Sequence, residues 1–479
     1  MKKLLILGVM LVLSATSCTK DITDNNVDPK RPETVPAATL VSNAEKNLGD
    51  LMTEVSNGRN LFRIWSQHWT ETTYTDEANY DIVGRDPSAG FWVRIYNNVL
   101  QDLKSARGFI ADDLLLDDAT RANQLAIIDL LEVYSYQTLV DLNGDVPYSE
   151  ALNVSENIQP AYDDAATIYQ DLITRATADA ATLAMGGDSF GAADIYYNGD
   201  TAKWAKFANS LLLRLGMRIA DVNPTLAAAT VSQAFANGVM ESSDDSAIIK
   251  YEGAFPNNNP IHNNFVLNNR GGDYVAGQTS VDYLLSVNDP RIDNFFDSNV
   301  DGFVGAPIGD NNSYANFSHI NPTITDDPTY PGAILEYFEV QFFLAEAVER
   351  GFITGDAEMF YNEAVTANIV KFDGTEAEAT AYLAQPEVKY SSANYEELIG
   401  TQKWIALFAN GFEAWTEWRR LDYPDFLVSP VNSNLSINVP LRVFYPTSEI
   451  QLNRTNYTAA VQNIGGADNL ISPVFWDVQ

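Results

Sequence analysis

A mainly α-helical fold of stacked hairpins, interrupted by long irregular loops, is predicted here, and three observations predict it. Apolar residues recur at helical spacing through much of the chain: at 201–220, Trp204, Phe207, Ala208, Leu211, Leu212, Leu215 and Ile219 fall on one face. A faint internal repeat runs through these segments. Trp204-x-x-Phe207-Ala208-x-x-Leu211 has the offsets of the first helix of a tetratricopeptide unit, and Tyr169-x-x-Leu172-Ile173-x-x-Ala176 and Trp404-x-x-Leu407-Phe408-x-x-Gly411 echo it. One hairpin cannot bury its apolar face alone, so such repeats stack. Finally, residues 71–90, 251–280 and 297–333 are poor in helix formers and rich in Asn, Gly, Pro and aromatics. Irregular segments of that length in a compact protein are functional or disordered, and the aromatic content argues against disorder.

Taken in chain order, the N-terminus comes first. Lys2 and Lys3 precede the apolar run LLILGVMLVL at 4–13, followed by small residues. That pattern reads as a signal peptide over 1–17 and is too short for a membrane span, which needs roughly 20 apolar residues. Cys18 is the only cysteine in 479 residues, and Ala15-Thr16-Ser17-Cys18 resembles a relaxed bacterial lipobox. The expectation is lipidation at Cys18, since multiple acyl chains hold a protein on a membrane where one would not. Residues 18–36 are polar and rich in Asp, Asn and Pro, a lipidated flexible tether. Lys20-Asp21 resembles the charged export signal of surface lipoproteins.

The body, 37–479, reads as a single domain, because no internal linker interrupts it and 46% apolar content is ample for a large core. Helices are predicted at roughly 38–57, 91–110, 119–140, 162–184, 201–220, 335–350, 357–371 and 400–420. Asp200-Thr201 suits the N-cap of the fifth. With a lone cysteine there is no intrachain disulfide, so packing must supply the stability. The formal charge of −35 repels phosphate backbones, so nucleic acid is excluded as a partner and polyanionic glycans are disfavoured.

Several stretches are similar to one known family. DLNGDVPYSEAL at 141–152 resembles the Gly-Asp-Val-Pro-Tyr segment of the SusD/RagB family, and KWAKFANSLLLRLGMRI at 203–219 its Trp-x-x-Phe-Ala-Asn helix. NDPRIDNFF (288–296), YFEVQFFLAEAVERG (337–351), QKWIALFANGFEAWTEWRRLDYP (402–424) and VPLRVFYPTSEIQLNRTNY (439–457) continue the match in order. The resemblance implies a non-catalytic, lipid-anchored protein of the outer membrane, facing the cell exterior, on a scaffold of tetratricopeptide-like hairpins. It also implies a partner, a SusC-like TonB-dependent transporter, and a ligand that is a neutral oligosaccharide or polysaccharide, with peptide the alternative. These motifs identify the scaffold. Trp204, Trp404 and Trp415 sit at helical spacing and read as core, and Arg419 and Arg420 as partners of acidic neighbours such as Glu413 or Glu417.

A sugar offers an apolar face of C–H groups and a fringe of hydroxyls, so its site needs flat rings beside amide, carboxylate and guanidinium groups. One ring over one sugar face contributes ~1.5–2 kcal/mol before association costs, so rings must cluster. Three segments qualify. The stretch 65–81 offers Trp65, Tyr74 and Tyr80, with Arg85 beyond; 268–278 offers Asn269, Arg270, Asp273 and Tyr274; 309–317 offers Tyr314 and Phe317. Trp65 and Trp69 are four apart and share a face if helical.

Rival chemistries fail on spacing. His68, His262 and His319 lack the HExxH interval, and there is neither a G-x-S-x-G nor a P-loop. Asp297-Ser-Asn-Val-Asp-Gly copies the start of a calcium loop, but Ile308 occupies the twelfth position, where a bidentate Glu is required. The segment therefore reads as an Asn/Asp-rich turn, with no metal and no cofactor.

Overall fold

A computed structural model describes residues 35–299 and 302–478. The signal peptide, Cys18 and the tether up to residue 34 lie outside the described residues. The chain is mainly helical, built on tetratricopeptide-like hairpins. In order come α1 (Ala37–Thr53), β1 (Trp69–Glu71), α2 (Gln101–Asp112), α3 (Asp118–Asn143), β2 (Val146–Pro147), β3 (Tyr162–Asp163), α4 (Ala165–Leu183), α5 (Thr201–Arg218), α6 (Pro224–Asn237) and β4 (Ala247–Ile249). There follow β5 (Tyr274–Ala276), α7 (Gln278–Ser286), β6 (Phe296–Asp297), β7 (His319–Ile320), β8 (Gly332–Leu335), α8 (Tyr337–Glu349), α9 (Ala357–Lys371), α10 (Glu376–Leu383), α11 (Tyr395–Ala406), α12 (Gly411–Leu421), α13 (Thr447–Leu452) and α14 (Arg454–Asn463).

Side-chain oxygens start the helices. Asp117, Asp164, Asp200 and Asp356 each accept from backbone N–H groups of the first turn, and Thr375 with Glu378 forms a reciprocal capping box. Helices adjacent in sequence then pack as hairpins: α3 on α4, α4 on α5, α5 on α6, and α8 on α9. Trp204, Trp404 and Trp415 are fully buried. A second, smaller apolar cluster lies under α8, α9, α10 and α11, around Phe342, Tyr361, Ile369 and Tyr382.

The predicted helix 400–420 is in fact two. It breaks at Asn410, where the chain passes Arg63 so closely that a Cβ on Gly411 would collide with the Arg63 backbone. Five further helices, α6, α7, α10, α13 and α14, went unpredicted because they are short or carry weak apolar periodicity.

Buried ions tie the hairpins together. Arg214 and Arg218 on α5 reach Glu339 on α8 and Glu413 and Glu417 on α12, and Lys403 and Arg420 close the network on Glu417 and Glu346. Arg420 thus takes a carboxylate partner as expected. Arg419 instead donates to the carbonyls of Leu441 and Asp141, each at 2.9 Å.

The long loops are knit by short antiparallel ladders rather than left free. β1 pairs with β5, placing Trp69 opposite Ala276 and Glu71 opposite Tyr274. The Ala276 N–H donates to the Ser318 carbonyl at 2.9 Å, and the Thr70 hydroxyl accepts from the Gly309 N–H at 3.2 Å. All three candidate segments are therefore linked to one another. They rest on the helical body through Trp404, whose indole N–H donates to the Ser66 carbonyl at 2.8 Å.

Candidate functional site

Tyr74 sits at the turn following β1, with a φ of 55°, and its ring is 61% exposed. Two cations flank it. The guanidinium carbons of Arg85 and Arg270 lie 5.5 and 5.6 Å from the ring centroid, a distance at which ring and cation attract. Arg85 pairs with Glu77 and Arg270 with Asp273, each through its Nε. The terminal nitrogens of both have no hydrogen-bond partner among the described residues. Thr73 adds a hydroxyl that donates to Asp273 at 3.0 Å. Asn269, at a φ of 54°, holds its amide exposed and without a protein partner among the described residues.

Beneath the ring lies a buried support. The Asn57 amide donates to Glu71 at 2.6 Å and to Glu77 at 2.9 Å, and its oxygen accepts from the Tyr274 hydroxyl at 2.5 Å. Burial, then the neighbouring Glu77 charge, raises Glu71 well above the usual carboxylate range, and burial raises Glu77. Both shifts favour keeping a proton in this pair. Sequence reasoning missed this layer, because Asn57, Glu71 and Glu77 share no periodicity that marks them as neighbours.

The predicted site residues divide in two. Tyr74, Asn269, Arg270 and Asp273 are brought to one surface, joined by Arg85. Tyr314 stands apart from them. It lies two residues beyond Asn312, whose amide donates to the Glu71 carbonyl at 3.0 Å, but no ring or hydrogen-bond contact joins Tyr314 to the others among the described residues. Its ring, 38% exposed, stacks on His319 at 3.7 Å and 11°.

Trp65, Tyr80 and Tyr274 are corrections. Trp65 is fully buried between Phe62, Tyr80 and Trp415, and Trp69 is not its helical neighbour but the start of β1. Tyr80 turns inward and donates to the Asn438 carbonyl. Tyr274 lies under Phe265 and bonds Asn57. A ring closed in by protein offers no face to a sugar. Strand register decides this: in β5, Tyr274 points down toward Glu71's layer, a fact that no local pattern carries.

His68 is enclosed by Trp404 and Phe408, and burial, then the Arg63 charge, pushes its pKa down to about 3. Glu413 and Glu417, four apart on α12, are held in the buried ion network. No helix among the described residues is long and apolar enough to cross a membrane.

Comparison with known proteins adds the following. Residues 29–446 match a family described as "Starch-binding associating with outer membrane". Among solved structures, a chitin-binding protein is 29% identical with a TM-score of 0.81, covering 92% of this chain and 100% of its own. A SusD-like protein from Bacteroides thetaiotaomicron is 24% identical (TM-score 0.79; 93% and 99% covered), and a chitin-binding SusD homologue from Flavobacterium johnsoniae 22% identical (0.79; 92% and 99%). The last two speak to the fold alone. Among curated proteins, no sequence matches.

Proposed function

The chain belongs to the SusD/RagB family, and on that premise we propose that it captures a neutral oligosaccharide at the Tyr74 cluster and delivers it to a SusC-like TonB-dependent transporter. The observation that carries this reading is an exposed ring flanked by two guanidinium groups whose terminal nitrogens are unspent. The ring covers the apolar face of a sugar, and the planar donors bridge adjacent hydroxyls. Arg85 and Arg270 are each paired with an acidic side chain that offsets their charge, which suits an uncharged ligand. The chitin-binding relative makes oligomers of N-acetylglucosamine the first class to test. Nothing in the geometry favours peptide over glycan.

In this reading capture breaks no bond. Residues 37–479 act as one binding domain, held at the outer membrane and facing outward by lipid on Cys18 through the tether at 18–36. The family's described association with the outer membrane supports that location. Affinity electrophoresis of the protein through gels containing glycol chitin, starch, xyloglucan, galactomannan or laminarin tests the reading. At least one glycan is expected to retard the chain, with Tyr74→Ala weakening that retardation about tenfold. Equal retardation of Tyr74→Ala and the wild type would remove the ring from the site.

A further inference from the structure

A second cleft opens beside the 305–312 loop, which is tied to the Tyr74 turn. The Asn79 amide, behind the Tyr74 turn, donates to the Gly309 carbonyl at 2.8 Å, and Asn432 donates to the same oxygen at 2.9 Å. Val431 and Ile308 are joined there by a backbone bond of 3.0 Å, and both line the cleft beyond. It encloses about 560 Å³. Small-ligand sites ordinarily span roughly 300–1,000 Å³.

Its two walls differ in chemistry. Along α7, Gln278, Asp282 and Ser286 recur every four residues and so form one polar stripe facing the space. The Gln278 side-chain amide and the Asp282 carboxylate are exposed and have no protein partner among the described residues. The facing wall is apolar, from Phe426, Val428 and Val431. Where the walls meet, the Tyr283 and Phe426 rings stack at 5.0 Å and 14°, both half-buried, and each is braced edge-on by the buried Trp404, at 6.4 and 5.7 Å.

We infer that this cleft is a second glycan subsite, with the Tyr283–Phe426 pair as its platform and Gln278 and Asp282 as its hydroxyl-binding groups. Three features support a neutral sugar. The rings are fixed before any ligand arrives, so little ordering entropy opposes binding. Unspent acceptors and donors line one side only, matching a ligand with hydroxyls at its edge and C–H groups on its face. The carboxylate at Asp282 disfavours an anionic chain. The inference deepens the proposed capture function and rests on the ligand being a glycan, but it needs no contribution from Tyr74.

Affinity electrophoresis of the full-length protein through the same five glycans tests it, using Asp282→Ala, Gln278→Ala and Phe426→Ala beside Tyr74→Ala. In the gel that retards the wild type, Asp282→Ala and Phe426→Ala are each expected to weaken retardation by roughly three- to tenfold. Asp282 is exposed, so its variant keeps the wild-type melting temperature even if Phe426→Ala does not fold. Cleft variants that run like the wild type overturn the inference. Loss on the cleft variants with none on Tyr74→Ala supports the cleft and removes the Tyr74 site, and the reverse result does the opposite. A wild-type chain that none of the five retards contradicts both.

Discussion

Tyr74 and Tyr274 lie close in space and differ in what truncation costs. Removing the Tyr274 ring vacates buried volume beside Trp69 and Phe265 and leaves the Asn57 oxygen unpaired. Tyr274→Ala is therefore expected to lower the unfolding free energy by about 3–5 kcal/mol, read as a shift in urea midpoint. Tyr74→Ala removes an exposed ring and should leave that midpoint unchanged. The carboxyls beneath them set a pH dependence. Glu71 is raised well above its ordinary value, so between the ordinary and the raised value the folded chain binds a proton that the unfolded chain has lost. Stability drawn from that proton is present in acid and fades as pH rises through the raised value. Thermal melts of the wild type and Glu71→Gln should reveal it: as pH rises above the ordinary carboxylate range the wild type loses ground relative to the variant. A difference that stays constant as pH rises contradicts a proton held in the pair. At this scale the sequence told little. Tyr74 and Tyr80 stand six apart in similar company, both with positive φ, and only the fold around them sends one outward and the other in.

Elements position the site through contacts that glycine alone permits. Gly309 has a φ of 76°, and a Cβ there would collide with the Asn79 side chain and with Pro430. Its carbonyl accepts from both Asn79 and Asn432, which seats the 305–312 loop against the Tyr74 turn. Gly309→Ala is expected to cost about 1–3 kcal/mol of stability and to weaken glycan retardation, because the loop must move away from Asn79. Full binding by a destabilised Gly309→Ala would mean that this loop does not shape the site. Helices were far more legible than these ladders. The stripe of Trp204, Phe207, Leu211 and Leu215 is buried because a helix turns every 3.6 residues, so burial writes itself into the spacing. Strands of two to four residues carry no such record, and β1 finds β5 some 200 positions away. The same limit hid the second cleft, since Phe426 follows a scaffold motif and faces a helix whose stripe is polar.

Over the whole molecule, the hairpins are locked by buried, paired charge. Arg218 is fully enclosed, 2.5 Å from Glu413, bonded also to Glu417, and 3.4 Å from Asp141. Replacing it with Leu strands carboxylates from α3 and α12 in the core, at an expected loss of about 3–5 kcal/mol in denaturant unfolding. A loss below about 1 kcal/mol would show that the network merely fills space. Such a braced body suits a protein that presents preformed surface to its ligand. That view of the molecule can be checked by the structure of the complex, a crystal of the protein grown with N-acetylglucosamine hexamer or with whichever glycan retards it in gels. A sugar ring lying flat on Tyr74, its hydroxyls bonded to the free nitrogens of Arg85 and Arg270, is the outcome expected. A bound chain that leaves Tyr74 bare and touches neither arginine would contradict it.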